Sequence, residues 1–129
     1  MKWIRLGVFG AVAAAAGCNL PFSPGRAVTL PISRIQAPVE VPTGVPFTVI
    51  FVVQTGGCRS FTRLATARTA NTVTAVAHGR DSSGPKVSCP NDIREEPQSY
   101  TVQPPFSGPF MIVAKQPTGA ETTVEVRVR

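Results

Sequence analysis

A single histidine, a single tryptophan and only seven acidic side chains occur in a chain of 129 residues, and these shortages exclude several activities at once. Hydrolytic chemistry commonly needs a base tuned near neutrality, most often an imidazole, or two carboxylates set across a shaped cleft. His78 is the one imidazole, placed beside Gly79 at the expected end of a strand, where an exposed, idle ring is the ordinary outcome. Ser82 and Ser83 have neither a nucleophile elbow nor an oxyanion-hole motif around them. Gly56 and Gly57 precede Cys58 without the Lys and Ser/Thr of a phosphate loop, so nucleotide binding is excluded. Asp81, Asp92, Glu95 and Glu96 make the one acidic cluster. Ile93 and Arg94 interrupt the alternation of oxygen ligands that a calcium loop uses, so a solvated loop with local ion pairs is expected there. No catalytic residue, resident cofactor or metal follows from this inventory.

Long apolar runs are also scarce. The one clear run extends from Leu6 to Ala16, preceded by Lys2 and Arg5 and followed by small residues, which is the layout of an export signal. It falls short of the roughly 20 apolar residues of a membrane-spanning helix. Ala15-Ala16-Gly17-Cys18 resembles the lipobox of bacterial lipoproteins, with Ala15 standing where that family usually has Leu. The resemblance implies cleavage after Gly17, a diacylglyceryl group on the Cys18 sulfur, and a permanent attachment, since each buried methylene adds about 0.8 kcal/mol. Residues 1–17 would form a signal helix that is removed. Asn19, in place of Asp, would direct the protein to the outer membrane of a Gram-negative host. The competing reading is ordinary secretion, with cleavage after Ala16 and Cys18 left as a spare thiol.

Cysteine is present three times. Assigning Cys18 to lipid leaves Cys58 and Cys89, an even pair in an oxidising compartment, and a disulfide between them is expected. A metal held by the same two residues would need further thiolate or imidazole ligands.

Thirteen prolines and eleven glycines break up any long helical pattern, while 43% hydrophobic residues argue for an ordered body. Residues 18–27 contain two prolines, a serine and a glycine without a clear period, and read as a lipidated cysteine followed by a tether. From Val28 to Arg129 the period is two. Phe47, Val49, Phe51 and Val53 face one way against Thr48, Ile50, Val52 and Gln54, the pattern of a central strand. Val124, Val126 and Val128 alternate with Thr123, Glu125, Arg127 and Arg129, which fits a last strand with one solvated face. Further strands are expected at Leu30 to Gln36, Ser60 to Thr69, Thr72 to Gly79, Ser99 to Gln103 and Phe110 to Lys115. Ala70-Asn71 reads as a two-residue hairpin in which Asn tolerates positive φ, and Gln116 to Gly119 as a four-residue turn. Arg80 to Pro97 is the longest irregular stretch, with Cys89 in its middle.

Seven short strands with turn signals between them resemble a single immunoglobulin-like domain, implying an all-β antiparallel sandwich. The Cys, Trp, Cys spacing of antibody domains is missing, and the sole tryptophan, Trp3, lies in the signal. The formal charge of +6 becomes +4 without Lys2 and Arg5, since eleven basic and seven acidic side chains remain. Outside the cytoplasm the anionic partners for such a surface are lipid head groups, lipopolysaccharide and wall polymers, with no role for nucleic acid. Arg59 and Arg63 share strand parity and are the candidate anion-binding residues, with Arg68 on the opposite face unless a bulge intervenes. The expected function is a non-catalytic, membrane-anchored module that binds an envelope protein or anionic polymer. The alternative is an inhibitor or chaperone-like module that engages a client through a loop or edge strand.

Overall fold

A computed structural model describes residues 25–129. The expected signal helix, the Cys18 lipidation site and most of the expected tether lie outside the described residues. Nine strands are present: β1 (Arg26–Leu30), β2 (Ile32–Gln36), β3 (Glu40–Val41), β4 (Phe47–Thr55), β5 (Arg59–Arg68), β6 (Thr72–Asp81), β7 (Arg94–Val102), β8 (Phe110–Ala114) and β9 (Thr122–Val128). They form a six-stranded and a three-stranded sheet, an all-β arrangement consistent with a sandwich. In the small sheet β4 lies between β2 and β7. In the large sheet β6 has β5 along one edge, while β1 and β8 share the other. β9 then joins β8, and β3 joins β9.

The alternation read from β4 places Phe47, Val49, Phe51 and Val53 in the core, and the core continues through Leu30, Ile32, Val73, Ala75, Ala77, Val102, Phe110, Ile112 and Val126. Each contributes on the order of 1.5–3 kcal/mol where a large side chain is fully removed from water. Phe47, Phe106 and Phe110 meet edge to face, with centroids 5.2, 5.6 and 6.1 Å apart, the geometry that aromatic quadrupoles favour. Arg68 caps this cluster from outside, its guanidinium carbon 5.0 Å from the Phe110 ring centre. β9 follows its expected pattern, with Val126 buried and Val124 and Val128 packed against the core.

Several expectations are corrected. The strand expected over Leu30 to Gln36 is two strands in different sheets, divided at Pro31. Proline has no N–H to donate to a ladder, but its carbonyl accepts from Gln54 N–H at 2.9 Å, so the chain changes sheets there at little cost. β1 also starts at Arg26, four residues ahead of the strand expected from Leu30. β3, at two residues, is too short to show a period in the sequence. The pairings β6 with β8 and β3 with β9 are parallel, so the sandwich is not antiparallel throughout. β7 begins at Arg94 because it pairs along the whole of β4, from Phe47 with Val102 to Thr55 with Arg94. Together with the extension of β6 to Asp81, this shortens the irregular segment to residues 82–93.

The turns are corrected too. Thr69 N–H donates to Thr72 O at 2.8 Å across Ala70-Asn71, yet no non-glycine residue among those described has positive φ. Asn71 acts through its side chain, accepting from the hydroxyls of Thr69 and Thr72 at 3.2 and 3.3 Å. The β8–β9 connection is longer than four residues because Gln116 is drawn onto β2. It accepts from Ile32 N–H at 3.0 Å and donates to Ile32 O at 2.9 Å.

Candidate functional site

Cys58 and Cys89 form a disulfide, with Cα atoms 5.1 Å apart. Cys58 sits at the turn between β4 and β5, and the bond fastens the 82–93 segment to that end of the sandwich. Hydrogen bonds reinforce the junction. Ser82 N–H donates to Cys58 O at 3.0 Å, and Gly57 N–H donates to the Asp92 carboxylate at 2.9 Å. Gly56 lies at φ +122°, where an added Cβ would stand 2.2 Å from the Asp92 carbonyl oxygen, so only glycine lets the two backbones approach this closely.

The acidic cluster is dispersed by the fold. Asp81 is nearly buried, and the Ser83 hydroxyl and backbone N–H hold its carboxyl below the usual carboxylate range, helped by Arg59 and Arg26. Asp92 is likewise lowered, first by the Gly57 N–H and then by Arg94, whose Nε lies 2.8 Å from Oδ2. Glu95 pairs with Arg34 at 2.9 Å. Ser83 and Ser82 are thus engaged in closing loops. Among the described residues no three His, Cys, Asp or Glu side chains are arranged to hold a metal ion.

The shared face expected for Arg59 and Arg63 is overturned. β5 is in register with β6 at Phe61 opposite Gly79 and again at Arg63 opposite His78, so Thr62 is an extra residue. Such a bulge inverts the parity of everything beyond it. Arg59, opposite Asp81, faces the inner side and pairs with that carboxylate at 3.5 Å. Arg63 faces outward beside His78. Arg68, opposite Val73, returns to the inner side, where it donates to Gln103 O and Pro105 O at 3.0 and 3.2 Å.

What the bulge assembles instead is an outward group on β5 and β6. Thr62, Arg63, His78 and Arg80, with Ala27 and Gly79, line a hollow of about 200 Å³. Arg80 and His78 lie opposite Ala27 and Thr29 of β1, small partners that leave the Arg80 guanidinium exposed and the His78 ring half-buried. The sequence offered a signal for this group in the alternation of His78 and Arg80, but Arg63 joins it only through the bulge. Comparison of the chain with protein-family models, with curated proteins and with solved structures finds no match.

Proposed function

We propose that this chain is an envelope lipoprotein precursor in which residues 1–17 are an export signal, Cys18 carries the lipid, and the β-sandwich is a non-catalytic binding module of immunoglobulin-like type. The observation that carries the reading is the Cys58–Cys89 disulfide. It takes up two of the three cysteines, fits an oxidising compartment, and leaves Cys18 at the end of the small-residue run that resembles a lipobox. Two sheets over about 100 residues suit the immunoglobulin-like class, although the parallel pairs and the six-to-three division are departures from it.

Binding is favoured over catalysis because the carboxylates with perturbed surroundings, Asp81 and Asp92, are committed to closing loops. A second reading has its own support. Among the named strands β5 pairs with β6 alone, and beyond the bridge from Arg59 to Gly56 its other edge is a surface onto which a client strand could add, as in an inhibitor or chaperone. Replacing Cys18 by Ser and fractionating cells tests the anchor. The variant should move out of the membrane fraction, and unchanged retention would defeat the lipid assignment. Capture of a stoichiometric partner that depends on β5 edge residues would favour strand addition.

A further inference from the structure

We infer that Thr62, Arg63, His78 and Arg80 form a phosphate-binding site on the outer face of the large sheet. Three features support it. First, the bulge turns Thr62 and Arg63 to the same side, into one hollow with His78 and Arg80, so a hydroxyl, two guanidinium groups and an imidazole converge. Guanidinium forks match the oxygens of a phosphate through paired, charge-assisted hydrogen bonds. Secondly, the two guanidinium charges are not neutralised within the fold. Among the described residues, Arg26, Arg34, Arg59, Arg94, Lys115 and Arg129 reach carboxylates within 4.0 Å, whereas Arg63, His78 and Arg80 do not. The neighbouring carboxylate of Asp81 points to the other side of the sheet, towards Arg59. Along the β5 and β6 part of the same face Ala65, Ala67, Thr74 and Val76 follow, and the acidic side chain of that face, Glu125, stands two strands away on β9.

Thirdly, Arg80 donates to Gly25 O at 3.4 Å, so the chain leading back to Cys18 enters the domain beside the hollow. Eight residue steps separate Cys18 from Arg26, which reach at most roughly 28 Å when fully extended. If Cys18 is acylated, as proposed above, the point where the chain enters beside the hollow is held within about that distance of the lipid head groups. The choice of lipid as the source rests on that reading, and the site itself does not.

The test uses the full chain in neutral detergent micelles, followed by amide NMR. Inorganic phosphate is added in one series. In another the micelles are doped with phosphatidylglycerol, and chloride at matched ionic strength is the reference. Saturable shifts confined to the amides around 62–63 and 78–80 are expected, weakened at least about tenfold in R63A/R80A and unchanged in R127A. A partial return of affinity in R63K/R80K separates lost charge from lost structure. Response to both probes, or to phosphate alone, supports the site, the latter identifying a free ligand. Response to the lipid alone supports it as a head-group site. Shifts equal to those in chloride, or retained in R63A/R80A with its remaining spectrum intact, would overturn it. Mass analysis of the N-terminus is read separately, so an unacylated chain that still binds phosphate leaves the site standing and removes only the anchor.

Discussion

Removing both cysteines of the disulfide, as C58A/C89A, tests how the domain's longest irregular segment is stabilised. The bond joins residues 31 apart. On the chain-entropy estimate, closing such a loop in the unfolded chain stabilises the fold by about 3–4 kcal/mol. The native contacts around it should survive, because Gly57 N–H still reaches Asp92 and Ser82 N–H still reaches the carbonyl of residue 58. The loss should therefore arise mainly in the unfolded ensemble. For a domain of roughly 100 residues a loss of that size lowers the melting temperature by on the order of 15 °C and the urea midpoint by about 2 M. Thermal and urea unfolding of the variant beside the oxidised parent provide the measurement, with hydrogen exchange of the 82–93 amides as the structural check. A stability loss under about 1 kcal/mol with unchanged exchange would refute the entropic account. A loss of the expected size accompanied by collapse of protection throughout 82–93 would show instead that the bond holds the native segment directly.

Two further perturbations address the same end of the sandwich. Asp81 and Asp92 both have lowered pKa values; relative to an unfolded value near 3.9, their contribution is full above that pH and is lost as pH falls through the folded values. Urea midpoints should therefore decline below about pH 4, and D92N should flatten that decline, so an identical acid limb in the variant would show that Asp92 is not responsible. Gly56→Ala combines a φ of +122° with a backbone clash, whereas Gly44→Ala has a φ of +78° and nothing within 4 Å of the added Cβ. Thermal melts should show Gly56→Ala costing about 1–3 kcal/mol more than Gly44→Ala, and equal losses would mean that crowding against Asp92 is relieved elsewhere.

Local alternation determined much of this protein. A period of two needs only the chain's own pleat, so the core positions of β4 and β9 and most of the strand identities were legible, and the two downstream cysteines were marked as a pair by number and by the compartment that the signal-like N-terminus implies. Arg63 shows where that legibility ends. Counting along β5 puts it with Arg59, but the pairing with β6 inserts Thr62 as an extra residue and sends the two arginines to opposite faces. Pro31 likewise marks a break without saying that the strands on either side belong to different sheets. Gln116 gives no hint that its amide will bridge to Ile32, 84 residues away. Register, sheet membership and parallel pairing are properties of two chain segments at once, fixed by which partner buries the most apolar surface while satisfying its backbone groups. For that reason the sequence by itself determined the β-class and the core faces of its most regular strands, and only the tertiary structure decided the pairings and which charges stand together on the outside.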